Sequence, residues 1–461
     1  MLTEQLARFV CGTREAPLAV LDAATVALLD TLGCALAGTR EPVAQMAAAY
    51  VADLGAGARA AVWGHTFASS AADAAFVNGV AAHALDFDDT LATLRGHPSA
   101  AIFPVALAVG EQAGASGRDL LVAYALASEI AGKLGAAIGS GHYLRGWHST
   151  ATIGVFSATA AAGRLLGLDA AQLRNAWGIA AAQSAGLVRN FGTMTKPFQA
   201  GHAARCAVLA ASLAQRGFTA DGQIFDQTNS FLDTYGADGL PLESLVKKLG
   251  KPWDIVEPGI NFKRWPCCYC NHRAIGGLLD LLDEHAIRLE EVDAVRIGFP
   301  PGSDEPLIYD APSTGLEGKF SIQYAMAATL LDRKLTFDTF TDAAVNRPAA
   351  REMMKKVERY RVAVDGVYSG TVGYTDVEVV TARGRFSRRI DKGPGSPAWP
   401  MSPADHAEKF QDCASRALEP AAVRTLLNAA SACASLASVK ALTRALQPAG
   451  GATANRVASA R

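Results

Sequence analysis

The sequence predicts a mainly α protein: a large all-helical domain with a smaller α+β lid domain inserted before the C-terminal helices. Three observations carry this. Residues 1 to about 262 are alanine-rich, with apolar side chains recurring at helical spacing. After Pro266 the pattern changes to helix, strand, helix, strand, strand, the order of a small α+β unit. From Pro403 helical patterning returns, so the last helices can repack on the first part. The expected division is 1–265 with 403–447, then 266–402, with 448–461 as a flexible tail.

Taken in order, Pro17 through Ala37 keeps helical spacing and stops at Gly38, a natural C-terminal cap. Further helices read at 100–114, 118–138, 149–166, 170–187 and 199–216, with Gly167, Gly186 and Gly217 at their ends. Alanine and glycine on many faces let such helices approach closely. A helix at 272–285 then leads into a strand through Val292, Ala294, Val295 and Ile297. A helix at 319–333 precedes a strand at 357–364, and 375–390 reads as a hairpin turning at Ala382-Arg383-Gly384. The junction of the helical and mixed parts leaves a crevice, a common place for a substrate.

Composition narrows the function classes. Lys and Arg total 43 against 44 Asp and Glu, a net charge of −1, and no basic run argues for nucleic acid. The longest uncharged run near the centre, 146–163, is interrupted by His and several hydroxyl residues. It reads as a buried helix, and no membrane span is expected. The N-terminus lacks a basic-then-apolar signal pattern, so a cytoplasmic location is expected. Eight irregularly spaced cysteines do not read as a disulfide framework. Cys267, Cys268, Cys270 and His272 invite a zinc reading. Structural zinc sites pair two spaced ligand couples, and no second couple follows, so no metal is expected there.

The chemistry concentrates in five polar islands within apolar surroundings. The first, HALDFDDTLATLRGHP (83–98), holds Asp86, Asp88, Asp89 and two histidines. Asp86-x-Asp88-x-Thr90 matches the nucleophile loop of metal-dependent haloacid-dehalogenase-type phosphatases, which makes a metal-dependent hydrolase the rival reading from another class. In that family the loop ends a buried strand, whereas AAFVNGVAAHAL before it reads as helix. The other islands are GHYLRGWHST (141–150), NFGTMTKPFQAGH (190–202), FKRWPCCYCNHR (262–273) and KFSIQYA (319–325). Together they supply Asp86, His97, His148, Lys196 and His272, a set suited to general acid/base work and anion binding. Thr90, Arg95, Lys263 and Tyr324 are candidates for binding substrate.

The same islands resemble the MmgE/PrpD family, through DFDDT with Gly96-His97-Pro98-Ser99, Gly146-Trp147-His148, Gly192-Thr193-Met194-Thr195-Lys196-Pro197 and Lys263-x-x-Pro266 with His272. The family includes 2-methylcitrate dehydratase, cis-aconitate decarboxylase and iminodisuccinate epimerase. The resemblance implies a homodimer, a small di- or tricarboxylate substrate, and catalysis without metal or organic cofactor. It also implies roles for Asp86, Thr90, His97, His148, Lys196 and His272. Arg95-Gly96-His97-Pro98, Gly141-His142-Tyr143-Leu144 and Asn190-Phe191-Gly192 are most similar to the epimerase branch, so an iminodisuccinate-type epimerase is the first expectation and a dehydratase or decarboxylase the alternative. One departure stands out: the family commonly has His three residues after the lysine, and this chain has Gln199. All three reactions pass through a carbanion next to a carboxylate. That intermediate needs positive donors where the charge develops and a histidine titrating near neutrality.

Overall fold

The computed structural model describes residues 1–448 apart from 56, 227, 367, 369 and 371. The expected tail thus lies outside the described residues from 449 onward. The helices that build the site are α1 (Leu18–Gly38), α2 (Ala71–His83), α3 (Ser99–Ala113), α4 (Gly117–Ile138), α5 (Gly154–Leu165), α6 (Ala170–Ala181) and α7 (Thr195–Gln215). Helix α8 (His272–Glu284), strand β1 (Val292–Phe299), helix α9 (Ile322–Asp332) and strands β2 (Val357–Arg361), β3 (Thr375–Thr381) and β4 (Gly384–Ile390) follow. Helices α10 (Pro403–Ala414) and α11 (Pro420–Ser431) come last. The chain is mainly α, as the apolar spacing requires.

The four strands form one sheet in the order β2-β1-β3-β4. Strand β2 runs parallel to β1, pairing Val357 with Val295, and the other pairings are antiparallel, with Val379 opposite Val295. Inward Val295, Ile297, Val377 and Val379 meet Ile275 and Leu278 of α8 and Ala325 and Met326 of α9 in one apolar core. A second core joins Leu28, Leu32 and Leu36 of α1 to Phe410 and Ala414 of α10 and Leu426 of α11.

Several local expectations shift. The helix expected over 149–166 is broken at Ile153 into Ser149–Thr152 and α5. The Thr152 hydroxyl bonds back to the His148 carbonyl, the kind of side-chain competition that bends helices. Helix α6 stops at Ala181 rather than Gly186, and Gly186 lies in an irregular segment whose carbonyl accepts from the His148 N–H at 3.0 Å. Helix α9 begins at Ile322, capped by the Ser321 hydroxyl, which leaves Lys319 outside it. The β2 strand ends at Arg361, short of 364. Among the described residues, α1 and α4 are long and apolar enough to cross a membrane, which the sequence reading overlooked. In the fold, 67% of the apolar window of α1 and 94% of that of α4 are buried inside the protein.

A close helix crossing places the site. Where α2 meets α7, a Cβ on Gly79 would sit 2.9 Å from the Gly201 Cα, and one on Gly201 would sit 2.4 Å from the Phe76 carbonyl oxygen. Only glycine permits this approach, and it brings His83, at the end of α2, to Lys196, at the start of α7. Gly201→Ala is therefore expected to destabilise the protein by about 1–3 kcal/mol through overpacking. Gly12→Ala, whose Cβ would meet nothing within 4 Å, is expected to be near neutral. Urea denaturation of both variants checks the contrast.

Candidate active site

Helix α2 ends at His83 because the chain turns back on itself over 84–89. Asp86 takes φ +52°, the left-handed region that residues other than glycine seldom adopt. The loop is tied to a distant segment where Thr90 and Leu91 pair antiparallel with Asn261 and Ile260, which brings Lys263 beneath Asp86. The His97 N–H donates to the Thr150 hydroxyl at 3.1 Å, setting His97 beside His148.

Asp86 is the electrostatic centre. Its Oδ1 accepts from Lys196 Nζ at 2.7 Å and lies 2.9 Å from Lys263 Nζ, while Lys263 also donates to the Asp86 carbonyl at 2.6 Å. Burial alone would push the carboxyl pKa up. The Lys196 and Lys263 ammoniums outweigh it and hold Asp86 far below the usual carboxylate range. Its second oxygen, Oδ2, is buried and unpaired.

The three acids of DFDD are not equivalent. Asp88 is also fully buried, yet its pKa lies well below its ordinary value because His83 and His97 face it. Asp89 goes the other way. Burial, then the nearby Asp30, raises its pKa well above the ordinary value, and its Oδ2 accepts from the Ser99 hydroxyl at 2.5 Å.

The histidine tautomers follow from their partners. Lys196 Nζ, a donor only, lies 2.9 Å from His83 Nε2, so that nitrogen accepts and Nδ1–H points to Asp88 at 2.9 Å. Burial brings the His83 pKa down to about 4, so the ring is neutral. His97 Nδ1 lies 3.1 Å from the same Asp88 carboxylate and its Nε2 lies 3.7 Å from Asp86 Oδ1. At His148, Nδ1 lies 2.6 Å from Gln199 Oε1, and the Gln199 amide in turn donates to the Leu187 carbonyl. His148 therefore carries its proton on Nδ1 and presents the bare Nε2, which is buried without a partner. Burial, then Lys196, keeps its pKa well below 6.5.

Asp86, Thr90, Arg95, His97, His148, Lys196 and Lys263 line one cavity, walled on its apolar side by Phe191 and Phe320. Three cationic side chains and one carboxylate line it, so the cavity suits a polyanion. The sequence carries matches to two family models: residues 4–241 fit the MmgE/PrpD N-terminal domain and 265–433 fit the MmgE/PrpD C-terminal domain. The chain belongs to the MmgE/PrpD family. It is 30% identical over 453 residues to a cis-aconitate decarboxylase of Homo sapiens, covering 92% of this chain and 90% of that protein. A cis-aconitate decarboxylase of Mus musculus is 30% identical over 447 residues, covering 91% and 88%. One from Aspergillus terreus is 26% identical over 369 residues, covering 75% of each. This MmgE/PrpD protein is an enzyme, an isomerase or a lyase.

Two expected site residues of this MmgE/PrpD enzyme fall elsewhere. Tyr324 is fully buried in the core of the sheet and its helices, its hydroxyl donating to the Thr339 carbonyl. His272 sits behind the cavity wall, with Nε2 accepting from the Trp265 N–H and Nδ1 meeting the Cys268 carbonyl, both at 3.3 Å. Both ring nitrogens are used, and burial, then Lys263, brings its pKa to about 3. Its place is structural support of the turn that lines the cavity. Sequence reasoning left out His83, Asp88 and the tautomer-setting role of Gln199. The five-residue spacing of His83 and Asp88 matches no metal or triad motif. Only the reversal at Asp86 brings the two together.

Among the described residues, His83, Asp86, Asp88 and His97 offer ligand atoms within 4.8 Å of one another. They fit a metal ion poorly. Asp86 Oδ1 already receives two ammoniums and His83 Nε2 already receives Lys196, so a dication would enter beside fixed positive charge. The D-x-D-x-T loop also follows helix α2 and not a strand, contrary to the phosphatase arrangement.

The Gln199 contact yields a test. A neutral amide leaves His148 unprotonated, whereas a carboxylate would favour the imidazolium. Gln199→Glu is therefore expected to raise the His148 pKa, so that the ring loses its neutral form at higher pH as acid is added. Titration of ¹⁵N-labelled imidazole by NMR reads this directly. An unchanged His148 titration in Gln199→Glu would remove Gln199 from this role.

Proposed function

We propose that this enzyme catalyses proton transfer at a carbon next to a carboxylate of a small di- or tricarboxylate, without metal or organic cofactor, and that its reaction is a lyase reaction of the cis-aconitate decarboxylase type. The observation that carries the reading is the cavity itself: Arg95, Lys196 and Lys263 against Asp86, with Thr90 Oγ1, Asp86 Oδ2 and His148 Nε2 buried and unpaired. Buried polar atoms ordinarily find a hydrogen-bond partner, and three that converge on one cavity beside these cations support a polar, anionic ligand there. The names of the relatives described above support the decarboxylase over the epimerase.

The chemistry fits the residues. Loss of CO2 from the CH2–COO⁻ arm of cis-aconitate sends its electron pair through the double bond to the carbon beside the opposite carboxylate. Charge then delocalises onto that carboxylate, where fixed cations stabilise it. One proton must be delivered to the carbon. Burial lowers the pKa of both His148 and His97 from the ordinary histidine value, and a bound polyanion favours their protonated forms. Substrate binding would thus load the proton that the carbon later takes up. Asp88 orients His97, and Asp86 holds Lys196 and Lys263 in place.

Epimerisation is the second reading, favoured by Arg95-Gly96-His97-Pro98 and by the bare Nε2 of His148, which can remove an α-proton. A homodimer and a cytoplasmic location belong to the same proposal. The large apolar residues Met46 and Tyr50, exposed on the helix Pro42–Leu54, support an interface with a second copy.

A substrate panel in heavy water separates the readings. CO2 release from cis-aconitate with one deuterium in the product is the expected outcome. Deuterium at the α-carbon of a dicarboxylate such as iminodisuccinate, without CO2, would replace it with the epimerase. Lys196→Ala is expected to lower kcat roughly 100- to 1000-fold, the cost of removing one transition-state donor; a folded variant within a few-fold of wild type would assign the lysine to structure. Activity is expected to survive dialysis against EDTA, and stoichiometric metal whose removal abolishes turnover would overturn the metal-free mechanism.

A further inference from the structure

Three successive carbonyls of the Asp86 loop each accept from a buried lysine of a different element. Lys319 donates to the Leu85 carbonyl at 2.8 Å, Lys263 to Asp86 at 2.6 Å and Lys409 to Phe87 at 2.8 Å. Lys409 belongs to α10, also donates to the Lys263 carbonyl at 2.9 Å, and pairs with buried Asp30 of α1 at 2.6 Å. Lys319 reaches in from the segment just before α9, and its own carbonyl is anchored by the Cys268 N–H and the Asn271 side chain at 3.0 and 3.1 Å.

The geometry has a specific consequence at Asp86. The φ and ψ angles of a residue are set by the orientations of the peptide planes before and after it. The plane before Asp86 carries the Leu85 carbonyl and the plane after it carries the Asp86 carbonyl. Lys319 and Lys263 grip these two oxygens, so together they hold Asp86 at φ +52°, a sparsely populated conformation that persists only where surroundings enforce it. That conformation aims Oδ1 at Lys196 and leaves Oδ2 for the cavity.

Lys263 touches the Asp86 carboxylate itself and lines the cavity. Lys319 does neither. It lies on the far side of the loop, in the wall of a separate groove that it shares with Leu85, Pro266, Thr193 and Met194. We propose that Lys319 is a positioning residue for Asp86, coupling the α+β part of the chain to the carboxylate at the centre of the site through the Leu85 peptide plane. Its catalytic consequence rests on the reading of the cavity given above; its effect on the loop does not.

The test uses Lys319→Ala in the full-length enzyme, with Lys319→Met as the variant that keeps the buried methylene packing. Two readouts are taken. Hydrogen–deuterium exchange follows the Asp86 amide, which is bonded to the His83 carbonyl at 3.3 Å. Turnover is measured on whichever acid of the panel the wild-type enzyme converts. The expected result is exchange at least tenfold faster over residues 84–90, kcat lowered roughly 10- to 100-fold and KM changed less than threefold. Because Lys319 lines the groove, ethylammonium at tens of millimolar should enter the space left in Lys319→Ala, slow exchange and restore part of kcat, while leaving wild type unaffected. Unchanged exchange and kcat in either folded variant would overturn the proposal. So would a loss of kcat that tracks only a lowered Tm and is not rescued by ethylammonium. If wild type converts no acid in the panel, the functional reading fails, and the exchange and rescue measurements still decide the role of Lys319.

Discussion

A buried carboxylate in a strained backbone position, Asp86, organises this protein. An isolated carboxylate moved out of water is costly and ordinarily takes up a proton. Here it stays ionised because Lys196 and Lys263 converge on one of its oxygens. Removing both partners would leave an uncompensated buried charge, which is strongly destabilising. Much of the polar architecture follows from that requirement. Lys196 lies in the first turn of α7, Lys263 follows the strand pairing of Thr90 with Asn261, and Lys409 on α10 braces both the loop and the Lys263 carbonyl. Helices at the two ends of the chain thus meet at one short loop.

The same loop separates three chemically identical side chains into three functions. Asp86 holds cations and offers a free oxygen to the cavity. Asp88 accepts from the His83 imidazole, which fixes His83 as the neutral relay between Asp88 and Lys196, and lies 3.1 Å from His97 Nδ1. Asp89, turned away to the Ser99 hydroxyl, has its pKa raised well above the ordinary carboxylate value by burial and by Asp30. None of these differences comes from the acid itself. Each follows from whether the partner across a few ångströms is an ammonium, an imidazole or a hydroxyl.

Packing and chemistry are coupled at the α2–α7 crossing. Gly79 and Gly201 allow a backbone approach that no side chain would permit, and one turn further along the two helices the same approach sets Lys196 Nζ 2.9 Å from His83 Nε2. The alanine- and glycine-rich composition therefore has a purpose beyond filling a core. It lets short polar side chains from separate helices meet in the interior, where low dielectric makes their interactions count.

The sequence by itself determined the mainly helical class, the change to strands after Pro266 and the hairpin around Arg383, because periodicity and turn chemistry are local properties written into neighbouring residues. It also carried the island motifs that mark the family. Helix ends near Ile153 and Ala181 were not legible, since side-chain bonds from Thr152 and the pairing of His148 with Gly186 decide them. Residue types alone drew Tyr324 and His272 into the expected site, yet helix α9 turns the first inward and the Cys268 turn consumes the second. The roles of His83, Asp88, Gln199, Lys319 and Lys409 were decided only in three dimensions. Lys319 and Lys409 lie 234 and 322 residues from the carbonyls they hold. Protonation state and tautomer depend on partners through space, and a chain of residues states its chemistry without stating who will stand beside whom.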